Sequence, residues 1–312
     1  MLKKLMVFVL IAAMLMSFAA CGETTEEPPV AADTTPQKEE TPADEIVEEA
    51  PEATEATVPE VTFAEQVLVD DDNCVVKVTG IEPDALWGYT LKVFLENKTD
   101  IELMYSVDNV SVNGFMCDPF WASSVTAQMK SNEEISFSDE AFERNGIEAP
   151  TDITFTLRVH DSNDWMADAL VEQEFTIYPM GEEAVQPYER AAQPADIVLF
   201  DNEQCKMIVT GFEMDEIWGY TMKVYLENKT DLDLMFSTDG VAVNGFMCDP
   251  FWADSVAAGK RSNAEISWSE ESFAENGITE VTEIVLPIRV HDNNDWMADD
   301  IVNETFTVTP AN

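Results

Sequence analysis

The chain has 312 residues, 46% of them hydrophobic, and carries 62 Asp and Glu residues against 16 Lys and Arg, a formal net charge of -46. A chain this negative repels phosphate backbones, which excludes nucleic acid as a partner. The length and apolar content suit about two folded domains. Two histidines and five cysteines leave little material for catalysis or for an imidazole-based metal site.

Residues 1–21 have the pattern of a lipoprotein signal peptide. Two lysines precede an apolar run at 6–20, which is shorter than a transmembrane helix. The small residues before Cys21 resemble a bacterial lipobox, which implies cleavage there and a diacylglycerol on the Cys21 sulfur. The expected location is the outer face of the cell membrane of a Gram-positive-like bacterium, lipid-anchored and facing the extracellular side. The alternative is an ordinary secretory signal; either way the mature chain is exported.

Residues 22–62 predict a disordered linker. The segment is rich in Glu, Thr, Pro and Ala, and it has no aromatic residue. Such a composition buries too little apolar surface to offset the entropy of ordering, and its prolines and like charges keep it extended. We expect it to act as a tether, although its acidic residues leave a binding role open.

The rest of the chain is one unit written twice. Shifting the sequence by 131 residues aligns 74–179 with 205–310 without a gap, and about 64 of the 106 pairs are identical. The duplication predicts a first repeat at 63–179, a linker at 180–194 and a second repeat at 195–312.

Each repeat has the alternation of β-structure. Apolar and polar residues alternate at 91–96 and again at 153–160. Asn113-Gly114, between two short apolar runs, is a strong signal for a type I′ hairpin. Strands at this spacing predict an all-β fold in which each repeat is a two-sheet sandwich.

Two local signals refine this prediction. Ser138 is a good N-cap for a short helix at 139–144, which Asn145-Gly146 would end in a left-handed conformation. Pro287 replaces a threonine within a strand of the second repeat. Because proline cannot donate to a ladder, this strand should have an edge or a bulge at that point.

The chain resembles a group of clostridial-type surface lipoproteins. The resemblance rests on the LENKTD turn at 95–100, the VNG hairpin at 112–114 and the RVxDxxDW ending at 158–165, each with its counterpart in the second repeat. It implies two tandem immunoglobulin-like β-sandwich domains, related in fold to the small secreted immunoprotective antigens of mycobacteria. It implies a surface location but no activity, because the family offers no catalytic residues to match.

Each repeat contains two cysteines, and strand alternation points both toward its core. In an exported chain this favours one disulfide in each domain. The alternative is buried free thiols, in keeping with an anaerobe-like organism that makes few disulfides. The predicted disulfides are Cys74–Cys117 and Cys205–Cys248.

Two loops rich in Asp and Asn are candidate calcium sites. Carboxylate and amide oxygens suit Ca²⁺, although the glycine and distant glutamate of an EF-hand are missing. The alternative is that these side chains make turns and cap helices. The candidate ligands are Asp161, Asn163, Asp164, Asp168, Asp292, Asn294, Asp295 and Asp299.

Aromatic residues recur at equivalent loop positions and are candidates for partner binding. Exposed tryptophans stack on sugars or anchor a protein partner. The alternative is that they close the ends of the sandwich core. The candidate residues are Trp87, Tyr89, Trp121, Trp218, Tyr220 and Trp252.

Catalysis is disfavoured. A hydrolase would pair His160 with Cys117 or a nearby serine, with Asp161 orienting the ring. Strand alternation places His160 on the outer face and Cys117 in the core, and the sequence has no nucleophile elbow or glycine-rich phosphate loop. We therefore expect no enzyme activity and no cofactor, except that Ca²⁺ stays open.

The sequence thus predicts a non-catalytic binding or interaction module held outside the cell by its lipid anchor. Its partner would be an unidentified extracellular protein or glycan, which two similar repeats would bind with raised effective concentration. The alternative function is a calcium-stabilised stalk or spacer without a ligand.

Overall fold

The computed structural model describes residues 63–164, 166–215, 217–295 and 297–310. The signal peptide, Cys21, the linker 22–62, Trp165 and Trp296 lie outside these residues. Among the described residues, no helix has the length and apolar character needed to cross a bilayer.

The first repeat consists of nine strands and one short helix. These are β1 (Gln66–Asp70), β2 (Cys74–Ala85), β3 (Gly88–Asn97), β4 (Leu103–Val112), β5 (Phe115–Met116), β6 (Ala122–Val125), β7 (Lys130–Phe137), α1 (Asp139–Asn145), β8 (Ile153–Asp161) and β9 (Val171–Ile177).

The second repeat follows a 3-10 turn at Glu182–Ala184 and has the same order, except that two shorter strands stand in the place of β4. Its elements are β10 (Ile197–Asp201), β11 (Cys205–Asp215), β12 (Gly219–Asn228), β13 (Leu234–Thr238), β14 (Ala242–Val243), β15 (Phe246–Met247), β16 (Ala253–Val256), β17 (Arg261–Trp268), α2 (Glu270–Glu275), β18 (Ile284–Asp292) and β19 (Val302–Val308).

These strands confirm the predicted all-β, immunoglobulin-like sandwich. In the first repeat, one sheet has the order β1-β2-β3-β7, and the facing sheet contains β5-β4-β8-β9 with β6 beside β4. Leu91, Val93 and Leu95 are at most 3% exposed, whereas Lys92, Phe94 and Glu96 of the same strand are half-buried. The predicted period of two therefore separates the core face from the outer face.

The predicted turn and helix signals are also confirmed. Asn113 and Gly114 have φ of 51° and 78°, as a type I′ turn requires, and they bring Val112 opposite Phe115. The hydroxyl of Ser138 accepts from the amide of Ala141 at 3.2 Å, and Gly146 ends α1 at φ 62°.

Pro287 lies at an interruption of the sheet, and not on an edge strand. Its strand, β18, pairs with β19 on one side and with β13 and β14 on the other. The break between β13 and β14 falls opposite Pro287, so that no ladder bond needs its missing amide hydrogen. The Thr238 hydroxyl donates to the Pro287 carbonyl at 2.5 Å.

The two repeats belong to one compact unit and share a sheet. Strand β17 of the second repeat pairs in parallel with β5 of the first, with Arg261 opposite Phe115. This pairing joins strands of both repeats into one nine-stranded sheet. The linker also takes part, because the Tyr188 ring makes an edge contact with Phe115 at 4.9 Å and lies 4.9 Å from the Arg261 guanidinium.

Candidate functional site: exposed aromatic residues

The tips of two equivalent hairpins present large apolar residues to solvent. Trp87, between β2 and β3, is 73% exposed, and Trp218, between β11 and β12, is 64% exposed. Each is preceded by another exposed apolar residue, Leu86 or Ile217. A buried glycine follows each tryptophan, as the next strand begins.

At position 88 only glycine fits, because the end of β7 approaches the backbone closely. The φ of Gly88 is 92°, and a Cβ there would lie 2.2 Å from the carbonyl oxygen of Phe137. The backbone therefore passes close to the end of β7 while the preceding tryptophan projects beyond the sheet. In the second repeat, an Asp215 carboxylate oxygen accepts from the Ile217 and Trp218 amides at 2.7 Å each, and these bonds lower the pKa of Asp215.

A second exposed aromatic position lies in the Asp-Pro-Phe-Trp loops. Phe120 and Phe251 are each 92% exposed, with φ of 49° and 52°. Positive φ is uncommon for a bulky residue. It is held here by the preceding aspartate, since Asp118 accepts from the Phe120 amide at 2.7 Å and Asp249 accepts from the Phe251 amide at 3.1 Å.

The remaining predicted aromatic residues are less exposed. Trp121 and Trp252 are half-buried and pack against the two cores. Tyr89 is 8% exposed, and burial raises its pKa to about 12. The sequence thus identified the exposed Trp87 and Trp218, but it assigned no role to Phe120 and Phe251, which are more exposed. The available signal for Phe120 and Phe251 was an aspartate two residues before an aromatic residue, a pattern that favours a turn.

Tyr220 lines a cleft of about 680 Å³ in the second repeat, between the β11–β12 hairpin and α2. Its ring lies 6.0 Å from that of Phe212 and 5.8 Å from that of Phe273, which gives the cleft an aromatic wall. The described lining residues include Glu213, Glu270 and Glu280 and no cationic side chain. The cleft therefore suits a partner that is apolar and neutral or positively charged.

The predicted disulfides are wrong, because all four core cysteines are free thiols. Cys74 lies opposite Asn97, at one end of β3. The Cys117 sulfur is 3.3 Å from Nδ2 of Asn145, which belongs to α1. The helix α1 packs beside Tyr89, at the other end of β3. Eight residues of strand separate these ends, roughly 25 Å, whereas a disulfide needs Cα atoms within about 7 Å.

The second repeat has the same arrangement. Cys205 lies opposite Asn228, and the Cys248 sulfur is 3.5 Å from Nδ2 of Asn276, next to α2. Burial raises the pKa of Cys117 and of Cys205 to about 11. All four cysteines are buried in the cores as predicted. Within each repeat, however, the two cysteines lie at opposite ends of the core.

The Asp/Asn loops use their oxygens within the loop. Oδ1 of Asp161 accepts from the Asn163 amide at 2.8 Å, and Oδ1 of Asp164 accepts from the Met166 amide at 3.2 Å. Asp292 and Asp295 make the same bonds in the second repeat. Within the described ranges, no three His, Cys, Asp or Glu residues come together as metal ligands. The bonds inside each loop agree with the alternative interpretation, in which these side chains make turns.

The histidines do not form a catalytic pair with a cysteine. His160 lies opposite Met104, at the end of the sandwich remote from Cys117. It is only 7% exposed, so its predicted place on the surface is wrong. Its Nδ1 has no hydrogen-bond partner, and the same holds for Nδ1 of His291. Desolvation lowers the pKa of both imidazoles. A nearby positive charge lowers it further, from Arg158 at His160 and from Arg289 at His291.

No protein-family model matches the chain, and no curated protein matches it. Among solved structures, it is similar to the YadV chaperone, with 11% identity, a TM-score of 0.24 and coverage of 76% of this chain and 100% of that one. It is also similar to a Porphyromonas gingivalis W83 protein of unknown function, with 13% identity, a TM-score of 0.19 and coverage of 71% and 90%.

A third similar structure is the CsuC–CsuE chaperone–tip adhesion subunit pre-assembly complex from archaic chaperone-usher Csu pili of Acinetobacter baumannii. The identity is 10%, the TM-score is 0.19, and the match covers 72% of this chain and 92% of that one. At these TM-scores the similarities carry no argument about function. None of the three names a clostridial-type lipoprotein, so that resemblance stays a prediction from the sequence.

Proposed function

We propose that the protein is a non-catalytic binding module outside the cell, anchored to the membrane by a lipid on Cys21, which uses duplicated aromatic surfaces to bind an extracellular protein or glycan. The observation that carries the proposal is the equal exposure of Phe120 and Phe251, each 92% exposed in a constrained loop.

Single exposed apolar residues are ordinary on protein surfaces. Here, however, both repeats expose a phenylalanine and a tryptophan at equivalent positions. Because positive φ costs free energy at a bulky residue, the loop around Phe120 holds the ring outward at the expense of stability. Strain of this kind is found at binding sites, where the conformation needed for the partner is fixed in advance.

Duplication supports a target that presents more than one binding site. The two repeats are joined by strand pairing, so the spacing between their aromatic surfaces is fixed. A second contact made by a rigidly linked repeat gains from a high effective concentration. We expect the strongest binding to polymers or arrays that repeat one feature.

The acidic surface restricts the chemistry of the partner. The full chain carries -46, and the described cleft beside Tyr220 has three glutamates on its walls. Anionic polymers are repelled by such a field, whereas neutral sugars and cationic peptides are not. Aromatic side chains bind both classes, by stacking on sugar rings or by attracting cations.

The test is the binding of the full chain to two arrays, one of neutral glycans and one of cationic and neutral peptides. We expect binding to at least one class and a large loss in the Trp87→Ser/Trp218→Ser and Phe120→Ser/Phe251→Ser variants. Leu232→Ser, which changes an apolar residue 44% exposed outside these surfaces, is the matched control. Absence of binding on both arrays, or equal binding by all variants, would contradict the proposal.

The second candidate function is a stalk without a ligand of its own. The observation that favours it is the nine-stranded sheet that continues from one repeat into the other, which makes the pair a rigid spacer. The same arrays distinguish the two functions, because a stalk binds neither class.

A further inference from the structure

The two repeats contact each other through different surfaces. The second repeat contributes the edge and outer face of the sheet that contains β17, which we call the sheet surface. The first repeat contributes the β4–β5 hairpin and the end of α1, which we call the hairpin surface. The Arg261 amide donates to the Gly114 carbonyl at 3.0 Å, and Nδ2 of Asn263 donates to Oδ1 of Asn145 at 3.1 Å.

This contact buries apolar residues of both repeats. Ile208 and Tyr225, on the sheet surface of the second repeat, are 3% and 2% exposed and pack with the core of the first repeat. Phe115, on the hairpin surface, is 3% exposed. Because the contact joins unlike surfaces, it is heterologous, and it leaves one surface of each kind unused in every chain.

The unused hairpin surface belongs to the second repeat. Phe246 and Met247 occupy the positions of Phe115 and Met116, but they are 48% and 68% exposed. Asn244 and Gly245 form the same turn, with φ of 51° and 83°. The strand β15 thus has the same turn as β5, but no strand among the described residues covers it as β17 covers β5.

The unused sheet surface belongs to the first repeat, at β7. Phe94 takes the place of Tyr225, and Lys130, which corresponds to Arg261, lies 5.8 Å above its ring. Lys77 takes the place of Ile208 and forms an exposed ion pair with Glu65 at 3.0 Å. Asn132 corresponds to Asn263, so the residue that bonds across the joint is retained.

Each of the two unused surfaces carries charged side chains that can pair across the proposed contact. Lys77 and Lys130 lie on the sheet surface of the first repeat, whereas Glu275 on α2 occupies the position of Arg144 near the hairpin surface of the second. Lys77 pairs with Glu65 and Lys130 pairs with Glu96 at 3.2 Å. Such surface ion pairs are worth little, so both lysines can exchange partners. An opposite charge at each surface favours contact between them.

We propose that these surfaces bind each other in different copies of the chain, so that the second repeat of one copy docks onto the first repeat of the next. The contact repeats the parallel pairing of β17 with β5, now between β7 of one copy and β15 of another. Because it is heterologous and its two surfaces lie on different repeats, it joins successive molecules head to tail.

This contact is weaker than the one within the chain. Inside the chain, Tyr188 from the linker contacts both Phe115 and Arg261. In the sequence, the position that corresponds to Tyr188 before the first repeat is Thr57, which has no aromatic ring. Assembly therefore depends on local concentration.

The test is cysteine cross-linking of the full chain, in a Cys21→Ser background. By the register of Arg261 with Phe115, residue 130 of one copy lies opposite residue 246 of the next. Neighbouring strands are about 5 Å apart, within the range of a disulfide. Mild oxidation of the Lys130→Cys/Phe246→Cys double variant should give a ladder of dimers, trimers and higher species on a non-reducing gel.

Three controls define the result. A mixture of the two single variants should stop at the dimer. The Lys130→Cys/Phe251→Cys variant, whose second substitution replaces a more exposed residue outside the surface, should give no ladder. Adding Glu275→Lys to the first double variant should slow cross-linking by about fivefold.

Absence of a ladder at high protein concentration overturns the proposal. So does a ladder that forms equally fast in the Lys130→Cys/Phe251→Cys variant, because random collision then explains it. Both outcomes leave the proposed binding of an extracellular ligand untouched, since that function uses other residues.

Discussion

Arg261 and Phe115, which belong to different repeats, are direct partners in a parallel strand pairing, with the Arg261 amide 3.0 Å from the Gly114 carbonyl. The pairing turns two homologous domains into one structural unit with a shared sheet. The linker strengthens it, because Arg190 binds Asp196 through two hydrogen bonds of 2.6 and 2.8 Å while its guanidinium lies 5.2 Å from the Tyr225 ring.

Tyr188→Ala should loosen this joint. The substitution removes an aromatic pair and a cation–π contact, each worth about 0.5–1 kcal/mol, from a side chain that is 42% exposed. We expect the single unfolding transition of the chain to broaden or split in calorimetry, since the repeats become less coupled. Tyr188→Phe keeps the ring and should behave like the parent. Unfolding transitions of the same width and midpoint in all three proteins would contradict the claim that Tyr188 couples the repeats.

The core cysteines should be reduced and unreactive in the folded protein. Burial raises the pKa of Cys74 to about 12, so little thiolate forms near neutral pH. Iodoacetamide should modify none of the four under native conditions and all four in denaturant without reductant, as counted by intact mass. If two or four of them need reductant before they react, disulfides are present and this structure of the core is wrong.

Thermal stability should not respond to calcium. The carboxylates of Asp161 and Asp292 already accept hydrogen bonds from their own loops, at 2.8 Å each. We expect the same melting temperature in millimolar Ca²⁺, in millimolar Mg²⁺ and in chelator. A rise in Ca²⁺ alone that is lost in the Asp161→Asn/Asp292→Asn variant would establish the calcium sites and favour the stalk.

Acid should destabilise the protein partly through its two histidines. Their pKa values in the folded chain are lowered by burial, so the unfolded chain binds protons more readily. The stability that the neutral rings contribute is complete above the unfolded pKa, about 6.5, and is lost as the pH falls from there toward the folded value. Asp108 and Asp161 oppose the lowering at His160.

The measurement is the urea midpoint between about pH 7.5 and pH 5, for the parent and for His160→Gln/His291→Gln. The parent should lose more stability over this range than the double variant, because only the parent gains protons at these rings on unfolding. Glutamine removes the titration and keeps a polar side chain of similar length. Parallel pH curves for the two proteins would show that the rings are already accessible to protons.

The sequence predicted those features that depend on local signals. Asn113-Gly114 and Ser138 act through their own backbone neighbourhood, and both are confirmed. The disulfides failed because strand alternation gives the face of Cys74 and Cys117 but not their distance along the strand. The joint between repeats was missed because alignment of the two repeats emphasises identity, whereas the signal was a difference. Lys77 in the first repeat corresponds to Ile208 in the second, on an outer face that is covered only in the second repeat.

The central claim is that each repeat provides one aromatic binding surface. The most direct test is calorimetric titration of the full chain with the strongest ligand from the arrays, prepared as a single unit that carries one binding feature. We predict two ligands bound per chain, and one in the Trp218→Ser/Phe251→Ser variant, whose first repeat is intact. A stoichiometry that is the same in parent and variant would contradict the claim.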